Sequence, residues 1–480
     1  MAATQEGART WAALVAGQEA SAPAVVTAAG ALSHGDLVTA AGHAAAWLTR
    51  HGAAPGVPVA ALLPSSRAAF ALAVAGALTG RPLAPLNPRA TVRELVECVR
   101  GLPDGLVVAT PEHAGLGQAV ADAAGRRLGV VTDLGSASAE LNWQVDAAGP
   151  VAIVHTSGTT GRPKPVTLRQ DRLAARTRVF AGIVRLGPGS VFTSGSPFHH
   201  IAGVGMFLTA LAAGAAMAEF PGFSESAWAG MHRLGVTHAL LVPTMIEKLL
   251  AAGQLGLDTL RSLQYGASPI RAQTVRELHH ALPRVRLTQL FGQTEGSPIT
   301  ALTHEHHLLA GERAPELLTS VGRAVPGLEL RVDAPDERGV GQLHARAPHL
   351  FGADEHGWLH TGDLGRMTPD GFVYLLGRIG DTIIRGGENV YPVEVERVIG
   401  EHPAVSDVAV VGRPDATLGE TVQAFVVLAG GAAVTADELR AHTRDALSGY
   451  KVPTDWQFVA ELPRSAAGKV LRRQLRREAS

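Results

Sequence analysis

The 480-residue sequence has very little cysteine and almost no net charge. Its only cysteine, Cys98, excludes an internal disulfide and fits a reducing compartment. The 42 lysine and arginine residues nearly balance the 43 aspartate and glutamate residues, which leaves a formal net charge of −1. Such a balance gives no overall attraction to nucleic acid or to an anionic membrane. We therefore expect no nucleic-acid partner.

The N-terminus also lacks the basic start and apolar core of a secretion signal. One internal run, Ile201 to Ala218, contains no charged residue and reaches about 18 residues, the length at which a helix begins to span a bilayer. It is rich in alanine and glycine and lies between the motifs described below. We predict a buried core helix and no membrane span. We expect the protein to be cytoplasmic, and a homodimer is one possible oligomeric state.

The chain is too long for one simple core, and 46% hydrophobic against 18% charged residues is a globular composition. Up to about residue 300, short apolar runs alternate with helical patterns, which predicts parallel strands covered on both faces. One of these helices has Thr244 and Glu247 spaced as a capping box and Gly253 as a stop. From about residue 320, alternating segments between Gly, Pro and Asp predict antiparallel strands.

A small mixed module follows Arg378. Strands are predicted near 407–411 and 422–428, and a helix is predicted to begin at Thr435 with Glu438 in capping position. We place the domain boundary between residues 376 and 377, which divides the chain into 1–376 and 377–480.

A segment rich in hydroxyl groups and glycine, HTSGTTGRPKPV at 155–166, follows the apolar run 151–154. It does not match the nucleoside-triphosphatase loop, because Lys164 is followed by Pro165 and not by Ser or Thr. It also lacks the first glycine of the dinucleotide-binding pattern. Its N–H and O–H groups can still surround the oxygens of a triphosphate. The segment predicts phosphate binding, with a solvated turn as the alternative.

Five further motifs follow in the chain: YGASPI (265–270), LFGQTEGSP (290–298), GWLHTGD (357–363), GRIGDTIIRGGENVYPVEVE (377–396) and PRSAAGKVLRRQL (463–475). Together with the phosphate loop they make residues 151–475 resemble the adenylate-forming superfamily of acyl-CoA synthetases, nonribosomal adenylation domains and luciferases. The first 150 residues carry no motif as specific. The resemblance implies an α/β fold: a large N-terminal domain of doubly wound parallel sheets plus a β-barrel, and a small mobile α+β C-terminal domain.

The resemblance implies a reaction in two halves, in which a carboxylate attacks the α-phosphate of ATP and a thiol then displaces AMP from the acyl-AMP. The GGENVYPVEVE segment is more similar to acyl- and aryl-CoA ligases than to nonribosomal domains. No aspartate near His200 is available for the ammonium of an amino acid. We expect a non-amino carboxylic acid, aryl or short to medium acyl, with CoA as the acceptor. A carrier-protein pantetheine arm, another nucleophile and a non-catalytic nucleotide-binding relative remain alternatives.

The resemblance also assigns roles to residues of this sequence. Lys469, Thr294, Glu295 and His200 would be catalytic, and Glu295 would bind Mg²⁺. The residues implied to bind ATP or AMP are Thr156, Ser157, Gly158, Thr159, Thr160, Gly161, Lys164, Tyr265, Gly266, Ala267, Phe291, Asp363 and Arg378. The acid pocket would be lined by His200, Ile201, Ala202, Met245, Gly292 and Gln293. Gly386 and Gly387 would line the thiol tunnel, and Gly380 would be the hinge.

Several of these assignments have a structural alternative. The Thr294–Glu295 pair could cap a helix, Asp363 could form a turn, Arg378 could make an ordinary interdomain ion pair, and Lys469 could belong to a solvated basic tail. The histidine clusters at 278–282 and 304–307 lack the H-E-x-x-H zinc spacing, and we interpret both as surface histidines.

Two positions depart from the family pattern. Pro165 stands where many relatives have Gly, so the loop has one N–H fewer and a fixed φ. Gly380 stands where relatives commonly have Asp or Lys, and glycine readily absorbs a change in backbone angles. Neither departure removes a catalytic group.

Overall fold

A computed structural model of the chain describes residues 7–157, 163–220, 222–464 and 470–478. The first strands are β1 Pro23–Thr27, β2 Gly30–Ser33, β3 Val59–Leu62, β4 Leu83–Pro85, β5 Leu106–Ala109, β6 Arg127–Val130, β7 Pro150–Ser157 and β8 Pro163–Arg169. The next are β9 Val191–Ser194, β10 Ala216–Ala218, β11 His238–Leu241, β12 Ser262–Gly266, β13 Arg286–Gln293, β14 Gly296–Leu302 and β15 Arg323–Ala324. The last are β16 Glu329–Asp333, β17 Gly341–Arg346, β18 Trp358–Met367, β19 Val373–Arg378, β20 Ile383–Arg385, β21 Glu388–Val390, β22 Val405–Asp415, β23 Gly419–Leu428 and β24 Asp455–Phe458.

The described α-helices are α1 Trp11–Ala16, α2 His34–Arg50, α3 Arg67–Leu78, α4 Val92–Arg100, α5 Ala114–Ala124, α6 Gln170–Val184, α7 Met206–Ala212, α8 Glu225–Ala229, α9 Pro243–Ala251, α10 Ala272–Ala281, α11 His304–Glu312, α12 Pro392–Gly400, α13 Ala436–Ala446 and α14 Arg472–Glu478. Short 3₁₀ helices cover Pro111–His113, Gly230–Leu234, Pro315–Thr319, Ile379–Asp381 and Gly449–Lys451, and a π-helix covers Ile201–Gly205.

Two large sheets carry most of the N-terminal region. One has nine strands in the order β15-β14-β13-β12-β11-β9-β10-β1-β2, and the other has six in the order β6-β5-β3-β4-β7-β8. Neighbouring strands pair in parallel from β13 to β1 and from β6 to β7, and antiparallel pairs occur only towards the described edges. This mixed α/β architecture confirms the predicted fold class.

The two large sheets share one hydrophobic core. Its buried residues come from α2, α3 and α7 and from strands of both sheets, including Val25 of β1 and Val108 of β5. Every residue of α3 from Ala69 to Leu78 is buried, which is what a helix that is apolar on all sides requires.

The uncharged run 201–218 lies in this core, as predicted. It forms the π-helix, α7 and β10, and not one continuous helix. In the described part of the chain, no helix combines the length and apolarity that crossing a membrane requires. The cytoplasmic location stays a prediction.

The third sheet is antiparallel, with the order β16-β17-β18-β19. The barrel expected here is an open sheet among the described residues, because β16 and β19 are not paired and four strands are too few to enclose a filled interior. Strand β19 ends at Arg378, next to the predicted domain boundary, which stays a prediction.

The C-terminal module has its own sheet and core. Its strands run β21-β20-β23-β22, with β24 added in parallel to β23. The predicted strands near 407–411 and 422–428 are confirmed as β22 and β23. Helix α13 begins after Thr435, whose hydroxyl accepts from the N–H of Glu438 in the predicted capping box.

The capping box predicted at Thr244 is wrong. Helix α9 is capped by Val242, and Pro243 occupies the first helical position, where its missing N–H has no cost. Glu247 instead accepts hydrogen bonds from Arg271 and from the hydroxyl of Thr274.

Candidate active site

The predicted site residues converge at one edge of the nine-stranded sheet. His200, Met245, Ala267 and Gln293 lie at or after the carboxyl ends of β9, β11, β12 and β13, four strands that are neighbours in the order β13-β12-β11-β9. The crevice outside the carboxyl ends of parallel strands is where open α/β sheets bind their ligands. The sheet therefore brings together motifs that are far apart in the sequence.

The phosphate segment joins two antiparallel strands of the other large sheet. Thr156 at the end of β7 is paired with Lys164 of β8, and Gly158, Thr159, Thr160 and Gly161 between them lie outside the described residues. Pro165 is exposed on β8, the edge strand of the six-stranded sheet, where a missing N–H breaks no ladder to a further strand. The proline is therefore accommodated by the fold.

The predicted phosphate segment and the motif that contains the predicted magnesium ligand are in direct contact. The hydroxyl of Thr156 lies 3.4 Å from Oε1 of Glu295 and donates to it, although the residues are 139 positions apart. Glu295 and Thr294 form the two-residue turn between β13 and β14, so this pair does not cap a helix. The contact places the end of the phosphate segment beside the predicted magnesium ligand.

Two glycines let the chain close tightly around this turn. Gly292 lies at the register shift in the β13–β14 pair, and a Cβ there would come within 2.8 Å of the Gly296 carbonyl. A Cβ on Gly352 would come within 2.6 Å of the Glu295 side chain, and the Gly352 N–H donates to the Glu295 carbonyl at 2.7 Å. Close packing therefore restricts the backbone and the base of the Glu295 side chain.

The predicted adenine wall lies at the end of β12. Ala267 has φ +69°, and a Cβ on Gly266 would come within 2.1 Å of the Leu290 carbonyl. The ring of Tyr265 is fully buried, and its hydroxyl donates to Nε2 of His307 at 2.7 Å. Any contact of Tyr265 with a nucleotide would therefore involve its backbone.

The interpretation of the 304–307 cluster as surface histidines is wrong for His307. This residue is 3% exposed, and its Nδ1 lies 2.7 Å from the Thr303 carbonyl. Burial lowers the pKa of the His307 imidazole to about 4. The neutral ring thus accepts from Tyr265 and donates to Thr303, a link that the sequence pattern did not reveal.

Asp363 and Arg378 face each other across β18 and β19. Nε of Arg378 donates to Oδ1 of Asp363 at 3.0 Å, and Asp363 is 9% exposed. The arginine stands at the end of the third sheet, where the C-terminal module follows. Phe291 is half-buried and packs between the hydrophobic clusters around Ile299 and Leu343.

The predicted acid pocket combines the segment after β9 with α9. His200 immediately precedes the π-helix that contains Ile201 and Ala202, and π-helical turns are frequent at functional sites. Met245 packs against the backbone of Gly195, where a Cβ would lie 2.6 Å from its sulfur. The ring of His200 lies 4.3 Å from that of His199, whose pKa is lowered to about 3 by burial and by the neighbouring His200 and Arg89. His199 is therefore neutral at the pH of a cell.

Comparison with known proteins identifies the family. A model of the AMP-binding enzyme matches residues 12–353, and a model of the AMP-binding enzyme C-terminal domain matches residues 394–469. The chain belongs to the AMP-binding enzyme family. The resemblance to adenylate-forming enzymes is thereby confirmed.

The names of proteins similar to this AMP-binding enzyme include a carrier-protein ligase, a CoA synthase and an amide bond synthetase. The chain is 30% identical to the fatty acid–[acyl-carrier-protein] ligase ScoC of Streptomyces coeruleorubidus, over 95% of this chain and 93% of that protein. It is 31% identical to the feruloyl-CoA synthase of an Amycolatopsis species, over 98% and 99% of the two chains. The structure of the amide bond synthetase McbA from Marinactinospora thermotolerans superposes with a TM-score of 0.88 at 28% identity, over 98% and 99%.

The C-terminal module of this AMP-binding enzyme carries the remaining predicted residues. Lys469 lies outside the described residues, but both ends of its segment are fixed by the bridge between Arg464 and Val470. Gly386 and Gly387 have φ +60° and +88° and are exposed, so the residues that the structure describes form no tunnel around them. The carbonyl of Gly380 accepts from Arg476 at 3.1 Å.

The donor set around Glu295 fits a magnesium ion. Mg²⁺ is usually held by one or two carboxylates together with substrate phosphates and water, and Glu295 with the Thr156 hydroxyl supplies such oxygens. In the described part of the chain, no group of three or more His, Cys, Asp or Glu side chains could hold a metal ion by itself. A metal at this site would therefore need the phosphate oxygens of a nucleotide.

Proposed function

We propose that this AMP-binding enzyme activates a non-amino carboxylic acid, aryl or short to medium acyl, with ATP. The products of the first half are acyl-AMP and pyrophosphate, and the acyl group then passes to the thiol of CoA. The observation that carries the proposal is the contact of Thr156 with Glu295 at the carboxyl edge of the sheet. It joins a phosphate-binding segment to a magnesium-binding carboxylate, and phosphoryl chemistry depends mainly on such positioning and charge neutralisation.

Each group has a role in this scheme. Thr156 and Lys164 bind the β- and γ-phosphates, Glu295 binds Mg²⁺, and Thr294 contacts the α-phosphate. Magnesium neutralises phosphate oxygens when bound. Asp363, almost fully buried and paired with Arg378, accepts the ribose hydroxyls.

The C-terminal lysine and the acid-binding segment complete the proposed reaction. Lys469 bridges the carboxylate and the α-phosphate during the first half, because a compact ammonium on a long stem suits charge that develops briefly. His200, Ile201 and Ala202 bind the acid. The segment 192–207 contains no aspartate or glutamate that could pair with an α-ammonium, which supports a non-amino acid.

The names of the similar proteins support an alternative acceptor for the acyl group. Their names include a carrier-protein ligase and an amide bond synthetase, so a pantetheine arm on a carrier protein or an amine is the alternative nucleophile. The first half of the reaction is the same for all three acceptors.

The test is pyrophosphate release from Mg-ATP with benzoate, ferulate, octanoate and dodecanoate, each with and without CoA. Release that is sustained only with CoA supports the ligase and identifies the acid class. Release that CoA leaves unchanged, but an amine or a pantetheine-loaded carrier protein sustains, supports the alternative. Glu295→Gln is the matched inactive control, because it keeps the size of the side chain and removes its charge. If pyrophosphate release survives in this variant, the magnesium role is wrong.

A further inference from the structure

Arg176 on α6 is a buried cation that the proposed chemistry does not use. It is 3% exposed, and within the described residues it forms no ion pair with a carboxylate. Burial lowers the pKa of its guanidinium to about 10, so it is charged at neutral pH. Because a buried charge without an opposite charge is costly, its hydrogen bonds must compensate.

These hydrogen bonds join two segments that carry predicted site residues. Nε of Arg176 donates to the Ser297 carbonyl at 2.9 Å. Nη1 donates to the Gly205 carbonyl at 3.3 Å and to the hydroxyl of Thr209, and Nη2 lies 3.3 Å from the sulfur of Met206. One planar guanidinium thus holds β14 on one side and the end of the π-helix on the other.

Each segment leads directly to the candidate site. Ser297 follows the Thr294–Glu295 turn by two residues, and the π-helix that ends at Gly205 begins just after His200. The Gly205 carbonyl also accepts from the Thr209 hydroxyl at 2.7 Å, so the junction between the π-helix and α7 is fixed by two side chains.

We propose that Arg176 is a positioning residue that sets the distance between the acid pocket at residues 200–202 and the Glu295 turn. The proposal rests on the proposed assignment of those residues to the acid pocket. Arginine suits this role because its rigid fork donates in several fixed directions, whereas the ammonium of lysine is a single point on a flexible stem. A reacting carboxylate must lie close to the phosphate in the correct orientation, so a shift of this separation of about 1 Å is enough to slow the reaction.

The kinetic test compares Arg176→Lys with Arg178→Lys. Arg178 lies on the same helix but is exposed and contacts the Ala8 carbonyl, away from the site. With the panel acid that gives the fastest pyrophosphate release, Arg176→Lys should raise the KM for the acid at least tenfold. The KM for Mg-ATP should change by less than about twofold, because the hydrogen bonds of Arg176 reach neither Glu295 nor the described residues of the phosphate segment. Equal increases in both KM values, or none, would overturn the proposal.

A second pair of variants changes the core less and keeps the proposal testable if Arg176→Lys does not fold. Thr209→Val removes the hydroxyl that contacts both Arg176 and Gly205. Thr177→Val removes a buried hydroxyl that, among the described residues, donates to the Leu173 carbonyl of its own helix α6. Thr209→Val should raise the KM for the acid about threefold or more, and Thr177→Val should leave it unchanged. Equal effects of the two changes would assign the Arg176 contacts to general stability.

A measurement without any acid separates this inference from the proposed function. Hydrogen exchange of the full chain should speed up at residues 203–209 and at 296–299 in Arg176→Lys, and in neither segment in Arg178→Lys. Faster exchange in both segments supports the coupling even if no panel acid is activated. Faster exchange in only one segment, in neither, or throughout the protein would overturn it.

Discussion

The buried pair of Tyr265 and His307 should make stability depend on pH. Burial lowers the pKa of His307 from 6.5 to about 4 in the folded chain. Since the pKa of His307 is lower in the folded than in the unfolded chain, the neutral ring contributes fully to the free energy of unfolding above about pH 6.5. This contribution is lost as the pH falls towards 4. Between about pH 7.5 and pH 5, linkage gives a loss of roughly 2 kcal/mol in the free energy of unfolding from this residue.

The perturbation is the double variant Tyr265→Phe with His307→Leu, which removes both polar partners and leaves no buried hydroxyl unpaired. Urea unfolding followed by tryptophan fluorescence at the two pH values gives the loss for each protein. We expect the double variant to lose about 2 kcal/mol less than the unmodified chain over this interval. The exposed His280→Gln on α10 serves as the control and should leave the loss unchanged. An equal loss in the double variant and the unmodified chain would refute the reasoning.

Three further predictions concern the C-terminal module. Lys469→Ala should abolish acyl-AMP formation, measured as pyrophosphate release, and largely spare thioester formation from supplied acyl-AMP; equal loss of both halves would contradict its role. Gly387→Trp should slow the thiol step far more than pyrophosphate release in single-turnover kinetics, and the reverse order would exclude the tunnel. Arg472→Met should destabilise the module by about 3–5 kcal/mol in urea unfolding, because it leaves the largely buried carboxylate of Glu396 without the guanidinium that now lies 2.6 Å away. The double change with Glu396→Leu should recover much of this loss, and no recovery would show that the ion pair is not the cause.

The fold could be predicted from the sequence where a pattern of neighbouring residues is compatible with only one kind of secondary structure. Apolar strands alternating with helices predict a parallel sheet, and the box at Thr435 predicts a helix start, because these signals lie within a few residues. The capping box predicted at Thr244 is wrong because the helix begins one residue before it, with Pro243 in the first position, so Thr244 is already inside the helix. The prediction of a β-barrel is wrong because the closure of a sheet depends on pairing between strands that are distant in the sequence.

The candidate site was predictable as a set of motifs, but its geometry was not. The contact between Thr156 and Glu295 requires both large sheets to be in place, and neither motif refers to the other. The family resemblance assigns roles to the two residues, and the arrangement of the strands brings their side chains close together. The proposed roles in phosphate and metal binding become physically reasonable once the two side chains lie 3.4 Å apart.

Buried polar residues mark the limit of pattern analysis in this chain. Arginine and histidine are polar residues that are seldom fully buried, yet Arg176 and His307 are both 3% exposed. Each is tolerated in the core because its hydrogen bonds are made by segments that come from elsewhere in the chain, the Ser297 carbonyl in one case and the Tyr265 hydroxyl in the other. Ser297 lies two residues from Glu295, and Tyr265 is itself a predicted site residue. Because an unsatisfied buried donor costs more than a satisfied one contributes, these bonds constrain where the neighbouring backbone can lie at the carboxyl edge of the nine-stranded sheet.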